Sequence, residues 1–87
     1  MVIIINGEES KEDIKNLLGY MGIEILLAID KGAKNYETIK LFSGLPLSCI
    51  KGRVPVLLEL NLIKIVKKEH LLTEKGIKFK TQLENVS

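Results

Sequence analysis

The sequence predicts an α+β domain in which a series of helices leads into one β-hairpin and a closing helix. Three observations predict it. Apolar residues recur at helical spacing from Ile14 to Leu60. The period then shortens to alternation at Ile63-Lys64-Ile65, ahead of the polar cluster Lys67-Lys68-Glu69 and the pair Leu71-Leu72. Thr73 finally opens another helical pattern through Ile77, Phe79 and Leu83. A period of 3.6 marks one face of a helix and a period of two marks a strand. The 87 residues suit one small domain, with too little chain for two independent cores. At 46% hydrophobic residues and no tryptophan, the core is aliphatic. A domain of this size gains from a second copy, so a homodimer is expected.

Val2-Ile3-Ile4-Ile5, closed by Asn6-Gly7, reads as a short strand or an ordered arm. Such a β-branched run needs cover, from the domain's own body or from a partner subunit. Ser10 then caps a helix, with Asp13 three residues on as a weaker capping box. Glu8, Glu9, Glu12 and Asp13 favour the positive end of that helix. Its apolar stripe is Ile14, Leu17, Leu18 and Met21, and Gly19 and Gly22 end or bend it before Ile23. A second apolar helix follows through Leu26, Leu27 and Ile29 and stops at Gly32. Asn35 caps the next, which places Ile39 and Phe42 three apart with Leu41 beside them and ends at Ser43-Gly44.

The helix after Gly44 puts Ile50, Val54, Leu57, Leu58 and Leu60 on one face, leaving Ser48, Lys51 and Arg53 on the other. Pro55 removes a backbone hydrogen bond to Lys51, at a cost of roughly 3 kcal/mol in a regular helix interior. With Gly52 just before it, the pattern predicts a split into a short Ser48–Arg53 contact turn and a buried Val54–Leu60 anchor. The hairpin comes next, with a basic tip, and Thr73 caps the last helix.

Charge is unevenly distributed. Residues 1–30 carry two basic against six acidic residues, a balance of −4, and residues 31–87 carry eleven against five, a balance of +6. The basic part coincides with the central helices and hairpin, as expected for phosphate contact. A single cysteine excludes an intrachain disulfide and a multi-cysteine zinc site. No secretory signal is visible and no apolar run approaches the ~20 residues of a membrane span. The expected location is therefore cytoplasmic, with no membrane partner. The acids from Glu8 to Asp13 read as capping, solvated groups, and Cys49 as a small half-buried residue rather than a redox sensor. His70 reads as a solvated hairpin residue. With no catalytic triad and no phosphate-cradling glycine loop, neither enzyme activity nor a cofactor or metal is expected.

Three segments carry a resemblance. GIEILLAIDKG looks like a first helix, and SGLPLSCIKGRVPVLLELNLI like a turn, a recognition helix and the entry to a wing. Leu72-Thr73-Glu74-Lys75-Gly76 looks like the exit from that wing. Together, Ile23 to Phe79 resembles the winged helix-turn-helix superfamily of bacterial and archaeal transcription regulators, of the broad MarR/ArsR type. Asn61 stands where the family often has glycine, and asparagine also tolerates the left-handed conformation.

The resemblance implies a three-helix core plus a β-hairpin wing at residues 23–87. Residues 1–22 would add an N-terminal helix and strand as a candidate dimerisation element. It implies binding of double-stranded DNA, with the groove-facing positions Leu47, Ser48, Cys49, Lys51, Gly52 and Arg53. Arg53 can donate two parallel bonds to guanine, whereas Lys51 suits a phosphate. Ser48 sits where a helix N-terminus meets an anion, and Gly52 allows close approach. Lys64, Lys67 and Lys68 of the wing and Tyr36 beside a helix N-terminus complete the expected DNA contacts. Two other functions fit the same fold: a protein-docking module, favoured by Pro55 and the apolar Leu47, and a sequence-indifferent chromatin-type binder.

Overall fold

The computed structural model describes residues 11–84 of the chain. They form an α+β fold with four helices and a two-stranded antiparallel hairpin: α1 (Lys11–Asp30), α2 (Tyr36–Ser43), α3 (Leu47–Glu59), β1 (Ile63–Val66), β2 (Glu69–Leu72) and α4 (Glu74–Glu84). The expected strand at Val2–Ile5 and the Ser10 cap lie outside the described residues. One core joins the elements, from Ile14 and Leu18 of α1 through Ile39, Ile50, Val54 and Leu57 to Ile63 and Phe79. Among the described residues, no single helix is long and apolar enough to cross a membrane.

The two glycines of α1 do different things. The helix breaks at Gly19, whose φ of 66° and ψ of −177° leave the helical region. It does not break at Gly22, which is buried in regular helix where a Cβ would lie 2.8 Å from that of Leu18. The bend expected before Ile23 thus falls at Gly19 alone, and the helix resumes at Tyr20. Of the predicted stripe, Ile14 and Leu18 are buried, while Leu17 and Met21 are exposed. Gly32, at φ 114°, closes the helix, and the Ala33 amide donates to the Ala28 carbonyl at 3.1 Å. This reach across the helix end is available because glycine adopts positive φ without strain.

α2 begins with a full capping box: the Asn35 side chain accepts the Thr38 amide at 2.9 Å and Thr38 Oγ1 accepts the Asn35 amide at 3.1 Å. Only Ile39 of its apolar residues is buried; Leu41 and Phe42 face solvent. Gly44 ends the helix in the left-handed region. The chain then turns by 108° across Gly44-Leu45-Pro46 into α3.

α3 is one helix from Leu47 to Glu59, so the predicted split at Gly52 and Pro55 does not occur. Lys51 and Pro55 are both exposed, which puts the missing hydrogen bond on the solvent side of the helix, where its loss costs least. Ile50, Val54 and Leu57 are buried, whereas Leu58 is exposed and Leu60 half-buried. Asn61 ends α3 at φ 60°, letting the Leu62 amide donate back to the Leu57 carbonyl at 3.0 Å.

The hairpin pairs Ile63 with Leu72, Lys64 with Leu71, Ile65 with His70 and Val66 with Glu69. Its two-residue turn is Lys67-Lys68, both at positive φ (51° and 69°). Positive φ at both central residues is the geometry of a type I′ turn, whose twist matches that of the flanking strands. His70 is buried rather than solvated. Its backbone amide donates to the Lys34 carbonyl at 2.9 Å and its Nδ1 to the same oxygen at 2.8 Å, tying β2 to the α1–α2 loop. The Tyr36 ring packs beside it, with centroids 5.5 Å apart.

The segment Thr73-Glu74-Lys75-Gly76 fastens α4 onto the end of α3. Thr73 Oγ1 caps the Gly76 amide at 3.0 Å and donates to the Asn61 carbonyl at 2.6 Å. The Thr73 amide donates to the Leu62 carbonyl at 3.0 Å, and Lys75 Nζ to that of Leu60 at 2.8 Å. Three successive carbonyls after α3 are thereby satisfied by one short stretch. Gly76 lies hard against the Leu62 carbonyl, a position only a residue without Cβ can take. Phe79 follows into the core, while Ile77 of the predicted stripe faces solvent.

Candidate functional site

The outward side of α3 is built by subtraction. Ile50, Val54 and Leu57 anchor the helix, and at 3.6 residues per turn the line opposite them runs Ser48, Gly52, Pro55, Glu59. All four are exposed, and no atom outside the local helix lies within 4 Å of the position a Gly52 Cβ would take. Lys51 and Arg53 are exposed as well. Two residues apart, they stand about 200° apart around the axis and flank the strip rather than share it. The centre of the face is thus small and uncharged up to Glu59. The sequence assignment omitted Glu59 and Pro55, although the same periodicity places them on this line.

The start of α3 is open. Its N-cap, Pro46, makes no side-chain cap, and no acid lies in the first turn. The Cys49 and Ile50 amides turn back to the Pro46 carbonyl at 3.0 and 3.2 Å, leaving those of Leu47 and Ser48 without a partner among the described residues. Unpaired amides at a helix N-terminus attract anions, and Ser48 is exposed in this first turn. Leu47 is exposed and Cys49 half-buried.

The other predicted residues divide into separate groups. Lys67 and Lys68 form the two-residue turn at the hairpin tip, and both are exposed. Tyr36 is 36% exposed and committed on one side to His70. Lys64 lies apart from α3, lining a cleft with Lys75 and Lys78. Among the described residues, no group of three or more His, Cys, Asp or Glu side chains could hold a metal ion. Beside the α2–α3 turn, Leu41 is 76% exposed and Phe42 47%, an apolar surface adjoining Leu45 and Pro46. A further apolar groove, lined by Leu17, Pro55, Val56, Glu59 and Leu60, runs between α1 and α3.

Lys80 has a raised pKa. Hydrogen bonds to Asp30 and then Glu84, each at 3.3 Å, hold its ammonium above the ordinary 10.5. This group ties α4 to the end of α1 and lies apart from α3. In comparisons with known proteins, the chain matches no family model, no curated protein and no solved structure.

Proposed function

We propose that the protein binds double-stranded DNA as a transcription regulator, in a winged helix-turn-helix arrangement with α3 in the major groove and the Lys67-Lys68 tip on the backbone. The 108° turn between α2 and α3 carries this reading. Two helices meeting at about 90–120° across a short glycine-containing turn form a DNA-binding unit when the second exposes its outer face. The uncapped α3 N-terminus and its flanking Lys51 and Arg53 support phosphate contact there. Because the strip Ser48–Gly52–Pro55–Glu59 offers few donors to base edges, affinity rests mainly on phosphates and Arg53 supplies most of the discrimination.

Electrophoretic shifts across a salt series test the reading. Arg53→Ala should reduce discrimination between DNA sequences. Lys67→Ala with Lys68→Ala should weaken all duplexes alike and reduce the salt slope by about 1 for each phosphate no longer neutralised. Undiminished affinity in the triple variant would refute it.

The exposed Leu41, Phe42 and Leu47 favour a second reading, a protein-docking module using the same surface. Absence of binding to random duplex DNA at low salt would favour docking, and binding without sequence preference a chromatin-type role. The exposed Leu17 of α1 supports assembly as a homodimer through that helix. Sedimentation should then show Leu17→Glu shifting the protein to monomer.

A further inference from the structure

We propose that the open edge of β1 is a docking site for residues 2–5 of the same chain, added as an antiparallel strand. The hairpin register defines that edge. Along an antiparallel pair, backbone groups alternate between facing the partner strand and facing away from it. The Thr73 amide donates across the pair to the Leu62 carbonyl, whereas the His70 amide points outward to that of Lys34. Lys64 and Val66 therefore face β2, and Ile63 and Ile65 face the opposite way. Among the described residues, the amides and carbonyls of Ile63 and Ile65 have no backbone partner. Ile63 is 2% exposed, so its groups are shielded from water and require a partner from protein. Ile65 and Val66, 49% and 42% exposed, leave apolar side chains bare along the same strand.

Length, reach and charge select the occupant. Val2-Ile3-Ile4-Ile5 is a run of four β-branched residues, matching the four residues of β1. Ile14, in the first turn of α1, lines one cleft with Asn61 and Lys64, so this helix starts close to the base of β1. Five residues, 6–10, span up to about 17 Å when extended, enough to bring Ile5 to that base. A strand that leaves towards α1 at the Asn61 end runs opposite to β1. The connection carries Glu8 and Glu9, complementary to the exposed Lys64 and Lys78 of the cleft it crosses. Neither α3 nor the Lys67-Lys68 tip is covered, so the inference stands independently of the DNA-binding reading.

Amide hydrogen exchange and nuclear Overhauser contacts on the isotope-labelled full chain provide the test. The Ile65 amide is the reporter, because a half-exposed residue is not protected by burial. It should exchange at least about tenfold more slowly than an open amide, as one hydrogen bond provides. Overhauser contacts should join residues 2–5 to Ile63 and Ile65. Ile3→Pro with Ile4→Pro removes a donor whichever alternation faces β1, and should abolish the Ile65 protection. Lys64 and Val66, paired with β2, should stay protected in that variant and report that the domain is folded. Ile3→Val with Ile4→Val should keep Ile65 protected. Mixing labelled with unlabelled chains identifies the source of the strand: contacts within one chain support the proposal, and contacts between chains would overturn it in favour of a second copy. An open Ile65 amide in the unsubstituted protein, or full protection in the folded proline variant, would overturn it as well. No DNA is present, so failure here and failure of the DNA-binding reading are distinguishable.

Discussion

Gly76→Ala sets two physical effects against each other and has a definite sign. Helix propensity favours alanine by up to about 1 kcal/mol. The structure opposes this, because the new Cβ would overlap the Leu62 carbonyl oxygen and come within 3.1 Å of its carbon. That obstacle is backbone, and the same carbonyl already accepts the Thr73 amide, so it cannot rotate aside as a side chain would. Relief requires α4 to move away from the α3–β1 turn. Breaking the Thr73–Leu62 hydrogen bond costs about 1 kcal/mol, and displacing Phe79, 2% exposed, from its packed position roughly 2–3 kcal/mol more. The net is a destabilisation of about 2–3 kcal/mol, or a Tm lower by roughly 10–20 °C in a domain of this size. Urea unfolding followed by circular dichroism measures it. Gly52→Ala is the matched control: α3 is regular there and the added methyl meets open space, so stability should rise by about 0.5–1 kcal/mol. A Gly76→Ala protein as stable as the original, or more so, would refute the close approach of α4 to Leu62.

Three further outcomes are expected. Lys67→Asn with Lys68→Gly should stabilise the protein by about 1–2 kcal/mol in thermal unfolding, since both lysines occupy left-handed conformations of a type I′ turn that suit Asn-Gly better. Asn35→Ala removes the capping box of α2 and should cost about 1 kcal/mol, read from the same unfolding curves. The Lys80 contacts should produce a small alkaline dependence: a pKa raised in the folded state gives stability fully present below the ordinary 10.5 and lost as pH rises through the folded value. Lys80→Met should therefore flatten the decline in stability above pH 10.5, and an unchanged decline would show that Asp30 and Glu84 do not hold the ammonium.

Signals confined to a few neighbouring residues were legible in the sequence. Asn35, Gly32, Gly44 and the left-handed Asn61 fix helix ends through backbone preferences and short-range hydrogen bonds. The hairpin followed from alternation around Lys67-Lys68. For the candidate site, the α3 periodicity identified Ser48, Lys51 and Arg53 as outward positions, and their exposure in the folded chain agrees.

The tertiary structure decided which apolar residues find a partner. Leu17, Leu41, Phe42, Leu58 and Ile77 all lie at helical spacing and are exposed, because a periodic stripe is wider than the line along which two helices touch. His70 is buried because the Lys34 carbonyl, 36 residues away, meets its ring. α3 passes through Pro55 unbroken because the carbonyl it deprives faces water, a fact of orientation that composition does not contain. Lys64 and Lys78, distant along the chain, come to line one cleft only in the folded protein. Caps and turns arise from interactions within a few residues, and the sequence alone determines them. Burial, close approach and the cleft depend on contacts between elements distant along the chain, which exist only once those elements have packed.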